Sequence, residues 1–138
     1  GGYAFYNCGD IDGMEIRFAE NVESLPDHLM YKCTIRSLTF PAGITKIPER
    51  AFYGCYALHS LTIPWNIMDI GDEAFYNCSS LMSIEIPDSV TSIGNRAFYN
   101  CDGLREVTIP KNVTQVGTSY DTWLSRCCTG CTCHRVRV

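Results

Sequence analysis

The chain repeats itself with a period of 23 residues. Residues 71–94 read GDEAFYNCSSLMSIEIPDSVTSIG and residues 94–117 read GNRAFYNCDGLREVTIPKNVTQVG, with Gly71, Gly94 and Gly117 at the joins. A fixed period of this length is typical of solenoids, in which each repeat is one unit stacked on the next. The period therefore predicts a solenoid, a fold whose long faces usually serve binding.

Less regular copies of the unit extend the pattern towards the first residue. Five cysteines set the alignment, at intervals of 25, 22, 23 and 23 residues: Cys8, Cys33, Cys55, Cys78 and Cys101. The unit can be written G-x-x-A-F-Y-x-C-x-x-L-x-x-I-x-I-P-x-x-V-x-x-I. Because its apolar positions lie on several sides, no unit can bury them alone. Five to six stacked units therefore predict one continuous core.

Each unit predicts two short extended segments and one compact turn. The L-x-x-I-x-I stretch ends in alternating apolar and polar residues, which is the signal of a half-buried strand. Proline ends this stretch in four copies, because proline cannot donate a hydrogen bond to a sheet ladder. The V-x-x-I pair predicts a second extended segment. The A-F-Y-x-C stretch predicts one helical turn with its Ala, Phe and Cys side chains inward.

The repeated motif resembles the leucine-rich repeats of the BspA-like, or Treponema pallidum-like, class. The glycine, the Ala-Phe pair, the cysteine, the leucine and the Ile-Pro pair carry the resemblance and recur in register over residues 1–117. The resemblance implies an α/β leucine-rich-repeat solenoid of short parallel strands with one helical turn per repeat. It also implies a secreted or cell-surface protein that binds host or microbial partners.

Length and composition set the outer bounds. The chain has 138 residues and a formal net charge of −4, which suits a single domain and gives no sign of a nucleic-acid binder. No apolar run approaches the roughly 18–20 residues of a membrane span, and no signal peptide is recognisable. Residues 1–8 align with residues 71–78, so we expect a piece of a longer protein. We predict a solenoid over residues 1–117, followed by an atypical cap and Cys-rich tail over residues 118–138.

The nine cysteines fall into two groups. Those of the repeat occupy equivalent positions of stacked units, about 4.8 Å apart with parallel Cα–Cβ bonds, whereas a disulfide needs Cβ atoms about 3.8 Å apart and facing each other. We therefore predict that the repeat cysteines are buried free thiols. In the tail, thiolate and imidazole ligands at this spacing could hold zinc, on Cys128, Cys131, Cys133 and His134. A flexible tail or local disulfides fit the same spacing, and we predict that the protein needs no cofactor.

Candidate binding residues are sought at positions that differ between copies. By alternation, the variable residues of the first extended segment point outward on one sheet face, and a solenoid's sheet is a common docking surface. An ordinary solvated face explains these small polar residues equally well, because threonine suits strands. The candidate partner-binding residues are Arg17, Thr39, Ser60, Thr62, Ser83, Glu85, Glu106 and Thr108.

A row of tyrosines follows the column of inward Phe and Met residues. A tyrosine presents a large apolar face and a polar tip, so an exposed row could contact a partner or a glycan. The alternative is that each ring packs over the neighbouring turn and shields the core. The residues are Tyr6, Tyr31, Tyr53, Tyr76 and Tyr99.

No arrangement of residues predicts catalysis. The three histidines are scattered, and the sequence has neither a nucleophile elbow nor a phosphate-binding glycine loop. We predict a non-enzymatic, monomeric module of an extracellular or cell-surface adhesion protein, with a protein or glycan partner on a host or neighbouring cell. Nucleic-acid binding and membrane insertion are not expected. The alternatives are a structural stalk and a metal- or redox-active module built on the tail.

Overall fold

The computed structural model describes residues 4–9, 16, 18–19, 21–105 and 107–117. Two parallel sheets run through this part of the chain: one has the order β1-β3-β5-β6, and the other pairs β2 with β4. Their strands are β1 (Lys46–Ile47), β2 (Ser60–Thr62), β3 (Asp69–Ile70), β4 (Ser83–Glu85), β5 (Ser92–Ile93) and β6 (Gln115–Val116).

The pairing register follows the sequence period. Lys46 of β1 is aligned with Asp69 of β3, and Asp69 is aligned with Ser92 of β5. Every pairing is parallel and advances by one repeat, so each repeat makes one turn of the solenoid. The predicted leucine-rich-repeat solenoid of short parallel strands is confirmed.

The first extended segment forms a strand in two copies. In β2 and β4, Leu61 and Ile84 are 6% and 7% exposed, and the residues on either side of each are exposed. The predicted alternation therefore holds there. Residues 36–40 belong to no strand, and the hydrogen bond from His59 N to Arg36 O measures 3.4 Å.

The predicted helical turn is replaced by reverse turns, and the described residues contain no helix. Within the turn, Tyr76 N donates to Glu73 O at 3.1 Å. The intervening amides donate to the next unit instead: Phe75 N bonds to Ala97 O at 2.8 Å and Asn77 N to Tyr99 O at 2.7 Å. Glu73 and Asn77 also have φ values of 52° and 60°. Half of the amides thus serve stacking, so an α-helical ladder cannot form.

The core is a set of columns in which equivalent residues stack. Phe52, Phe75 and Phe98 are fully buried, with successive ring centroids 5.3 Å apart and ring planes within 4° of parallel. No polar or charged residue of the described chain is buried. The columns confirm that the recurring apolar residues of the repeat form one continuous core.

The cysteine column consists of free thiols bonded to the preceding unit. Cys78 Sγ donates to Phe52 O and Cys101 Sγ to Phe75 O, each at 3.1 Å. Those carbonyls also accept the amides of Cys55 and Cys78 within their own units. Cysteine therefore serves two roles at this position: its small apolar side chain fills the core, and its thiol is a weak hydrogen-bond donor to the preceding unit. The prediction of free thiols is confirmed for all five repeat cysteines, four of which are buried while Cys8 is half-buried.

The glycines at the joins are required by close approach of neighbouring units. A Cβ on Gly71 would lie 2.7 Å from Glu49 N, and one on Gly94 would lie 2.5 Å from Asp72 N. Real Cβ atoms do not come so close to backbone atoms. The glycine at each join therefore lets one turn of the solenoid rest directly on the last.

Candidate functional site

The variable residues of the first segment form one exposed face, which we call the strand face. Register aligns Ser60 with Ser83 and Thr62 with Glu85 across β2 and β4. Thr39 and Thr108 are also exposed at the equivalent positions of other units. Arg17 and Glu106 lie outside the described residues, so their membership of this face stays a prediction.

The side chains of the strand face form no bonds with one another or with the rest of the described chain. Ser60, Thr62, Ser83 and Glu85 are all exposed, and none of their side chains forms a hydrogen bond or ion pair with another described residue. Backbone pairing between β2 and β4 holds the positions of these side chains. Their polar groups are therefore free to bond to a partner without breaking contacts inside the molecule.

A second surface lies on the four-stranded sheet and was not predicted from the sequence. A groove of about 600 Å³ crosses four units there. It is lined by the outward residues of the strands, which are Lys46, Asp69, Ser92 and Gln115, and by the glycine joins beside them. The signal in the sequence was the variable residue before the last isoleucine or valine of each unit, which alternation places outward.

Polar side chains in the groove bond to one another across units. Ser92 Oγ donates to Asp69 Oδ1 at 2.6 Å. Asp72 Oδ1 accepts the backbone amide of Asn95 at 2.7 Å, and Asp72 Oδ2 accepts the Asn95 side-chain amide at 3.2 Å. Much of the polar capacity of the groove is therefore used in joining units.

The tyrosine row is a continuous stack. Tyr31, Tyr53 and Tyr76 have successive centroid separations of 4.7 Å and ring planes within 6° of parallel. Tyr6 and Tyr99 extend the stack at 5.5 Å and 5.0 Å. Burial, followed by the neighbouring Tyr31 and Tyr76, raises the pKa of Tyr53. Because the ring faces are turned towards one another, the geometry favours the packing role.

A row of charged residues runs beside the tyrosines. Arg50 Nε donates to Glu73 Oε2 at 2.7 Å, and Arg96 lies 4.0 Å from the other carboxylate oxygen of Glu73. The hydrogen bond from Arg50 to Glu73 is the main cause that raises the pKa of the Arg50 guanidinium. Charges that alternate along the axis thus join three successive units.

The buried thiols are poorly suited to nucleophilic chemistry. Desolvation raises the pKa of Cys33 to about 11 and raises the pKa of Cys55 and Cys78 well above the ordinary value. A thiol must ionise to act as a nucleophile or as a metal ligand. Inside the described ranges, no group of three His, Cys, Asp or Glu side chains could hold a metal ion. The tail candidates Cys128, Cys131, Cys133 and His134 lie outside those ranges.

In the part of the chain that the structure describes, no helix has the length and apolar character needed to cross a membrane.

Solved structures of bacterial leucine-rich repeat proteins share this architecture. A leucine-rich repeat protein from Eubacterium ventriosum is 28% identical with a TM-score of 0.74, over 83% of this chain and 31% of that one. The Treponema pallidum leucine-rich repeat protein is 27% identical with a TM-score of 0.71, over 79% of this chain and 54% of that one. A leucine-rich cell surface protein from Faecalibacterium prausnitzii is 30% identical with a TM-score of 0.58, over 75% and 27% of the respective chains.

The chain therefore spans between about a quarter and about half of the length of these proteins. No curated protein matches the sequence. The family model for the BspA-type leucine-rich repeat region matches residues 1–122 in six copies. This chain belongs to the BspA-type leucine-rich repeat family.

Proposed function

We propose that this chain is a non-enzymatic protein-binding module of an extracellular or cell-surface protein, and that it docks a partner on the strand face. The observation that supports the proposal is that the recurring and the variable residues of the repeat lie in different places. Its recurring apolar residues lie in buried columns. Ser60, Thr62, Ser83 and Glu85 are exposed and in register, and their side chains bond to no other described residue. Leucine-rich repeats commonly use such extended faces for protein interaction.

The rigidity of the scaffold supports docking. Backbone bonds between units and the stacked core fix the spacing of the strand-face side chains. A partner that meets a preformed surface loses less conformational entropy than one that must order flexible loops. We infer a contact spread over several repeats, with small contributions from each side chain.

The extracellular assignment rests on the family and on one relative. The Faecalibacterium prausnitzii protein is described as a cell surface protein, and it shares 30% identity with this chain over 75% of this chain and 27% of that protein. Adhesion would use the same face to hold a protein on a host or neighbouring cell. A structural stalk remains the competing function for a repeat array.

Site-specific photo-crosslinking tests the docking face. A photoreactive phenylalanine is placed at position 62 on the strand face, at position 92 in the groove, or at position 111 in an exposed turn. Each variant is incubated with surface-protein extracts of intact cells. We expect position 62 to capture a discrete protein, and the capture to fall when Glu85→Ala and Glu106→Ala are added.

The other two positions serve as controls for the face and for nonspecific contact. Discrete capture from position 92 alone would move the docking surface to the groove. Equal labelling from all three positions, or none from any, would favour the stalk. Thermal unfolding of each variant must match that of the parent chain, so that a loss of capture is not a loss of fold.

A further inference from the structure

One pocket in the described part of the solenoid lies where a single unit departs from the repeat at two positions. It has a volume of about 250 Å³, which is below the roughly 300–1,000 Å³ typical of sites for drug-sized ligands. A group of about one ring is the size of occupant that such a space admits. The lining residues are Asn7, Cys8, Gly9, Lys32, Thr34, Tyr53, Gly54, Tyr56 and Asn77.

The first departure is Gly54, which has no side chain in a row of longer ones. Equivalent positions in the other units hold Asn7, Lys32, Asn77 and Asn100, all with left-handed backbone at φ between 46° and 60°. Gly54 adopts the same backbone at φ 70° but contributes no side chain. Asparagine forms the same turn elsewhere, so glycine is not needed for the backbone. A Cβ at Gly54 would lie 3.1 Å from Lys32 Cγ, so glycine leaves room for the flexible Lys32 side chain, which lies against it and lines the pocket.

The second departure is Tyr56, two residues later in the same unit. Its equivalents are Gly9, Thr34, Ser79 and Asp102, all of them small. Tyr56 is 54% exposed, and its hydroxyl lies 2.9 Å from Thr34 Oγ1. That hydrogen bond ties the ring to the neighbouring unit, so a large aromatic surface is held beside the pocket.

The chemistry of the lining is mixed in a way that suits a sugar ring. Tyrosine supplies an apolar ring, while Lys32, Thr34 and Asn77 supply ammonium, hydroxyl and amide groups. A pyranose has a face of C–H groups and a rim of hydroxyls, so it can pack on the ring and bond to the polar groups at once. Tyrosine and tryptophan commonly act at surfaces that are apolar on one side and wet on the other.

The charge of the lining adds a preference. Among the nine lining residues, Lys32 is the one cation and none is a carboxylate. The Lys32 ammonium lies 5.5 Å from the centroid of the Tyr31 ring, which does not line the pocket, and the flexible stem of lysine lets the charge turn towards a ligand. A carboxylate on the ligand would find an opposite charge there, and none of the described lining residues carries a like charge.

We propose that the pocket between Gly54 and Tyr56 binds a single pyranose and prefers one that carries a carboxylate, such as a uronic acid. The proposal goes beyond the protein-docking function of the strand face and uses none of its residues. Each can therefore fail without the other.

The test is an NMR titration of the 138-residue chain with methyl β-glucuronide and, separately, with methyl β-glucoside. We expect saturable shifts of the Gly54 and Tyr56 amides with both sugars, and tighter binding of the glucuronide by about three-fold, the scale of an exposed ion pair. Gly54→Asn should abolish binding, because the side chain found at positions 77 and 100 would displace that of Lys32 and take up space in the pocket. Tyr56→Ser should weaken binding by about ten-fold through loss of the ring.

Two further variants separate the contributions. Lys32→Gln should remove the preference for the glucuronide while leaving glucoside binding in place. Trp65→Ser removes an aromatic residue that is 81% exposed and does not line the pocket, so it should leave both affinities unchanged. Amide spectra of the free variants establish that each is folded.

Three results would overturn the proposal. The first is the absence of saturable shifts with either glycoside at tens of millimolar. The second is equal binding by the parent chain and by the folded Tyr56→Ser variant. The third is loss of binding on Trp65→Ser, which would indicate contact with exposed aromatic residues in general. If Gly54→Asn does not fold, Tyr56→Ser decides the question alone.

Discussion

The two exposed faces of this solenoid are built from equally variable residues, yet they use their side chains differently. In the groove, Asp72 accepts two hydrogen bonds from Asn95 of the next unit, and Ser92 donates to Asp69. On the strand face, Thr62 and Glu85 form no side-chain bond with another described residue. Residues that vary between copies therefore have a structural role in the groove, whereas on the strand face they remain available to bind a partner.

Strand pairing does not explain the difference, because Thr62 and Glu85 are aligned on paired strands just as Asp69 and Ser92 are. The groove lies beside the glycine joins, where a Cβ on Gly94 would be 2.6 Å from Gly71 C. Polar side chains there reach the next unit directly. The strand-face side chains point away from the sheet, and their neighbours in register stand side by side without bonding.

The largest effect is expected from a substitution in the buried phenylalanine column, which supports both faces. Phe75→Ala deletes a fully buried ring stacked between Phe52 and Phe98, and should lower the free energy of unfolding by about 3–5 kcal/mol. Urea unfolding measures the loss. Met82→Ala, at a side chain that is exposed, is the control. A loss below about 1 kcal/mol at Phe75, the scale of an average point mutation, would mean that the column does not couple the units.

The next effect concerns the floor of the groove alone. Gly94→Ala places a Cβ 2.5 Å from Asp72 N, so two backbones must separate, and we expect a loss of about 1–3 kcal/mol. Gly9→Ala is a matched control, because a Cβ there meets nothing within 4 Å. Equal stability of the two variants, measured by thermal unfolding, would show that the joins tolerate a side chain.

A smaller effect tests whether the groove bonds stabilise the stack. Asp72→Ala removes both hydrogen bonds to Asn95 and should cost about 0.5–1.5 kcal/mol. Asp88→Ala makes the same change of charge at an exposed carboxylate that bonds to no other described residue, and should cost less. The comparison breaks down if both variants unfold at the same urea concentration as the parent chain.

The smallest effect is expected on the strand face. Thr62→Ala combined with Glu85→Ala should change the free energy of unfolding by no more than about 0.5 kcal/mol per site, because these exposed side chains bond to no other described residue. In the chain that carries the photoreactive residue at position 62, Glu85→Ala should reduce partner capture. A clear loss of stability would mean that the strand face is structural, as the groove is.

The spacing of a few residue types was sufficient to predict the scaffold. The five aligned cysteines, the Ala-Phe pairs and the Ile-Pro pairs specified the solenoid, the core columns and the free thiols. Alternation around Leu61 and Ile84 also placed the exposed strand-face residues where the structure has them. These predictions succeed because burial follows directly from periodic apolar positions.

Contacts between units were beyond the same reasoning. The helical turn expected at A-F-Y-x-C became a pair of reverse turns because Phe75 N and Asn77 N bond to the next unit. The groove was missed because its shape depends on the distance between neighbouring turns at the glycine joins. The sequence of one unit determines neither the distance between neighbouring turns nor which carbonyl accepts a given backbone amide.

The sequence repeat at residues 71–117 was thus enough to establish that the units stack. It also established which positions of the unit lie inside and which lie outside. Stacking itself decided which outward residues are bonded to a neighbour, which stay available, and where Gly54 and Tyr56 leave a pocket. The physical reason is that apolar burial is a property of each position in a periodic chain. Hydrogen bonds and cavities between units depend on how two distant segments approach in space.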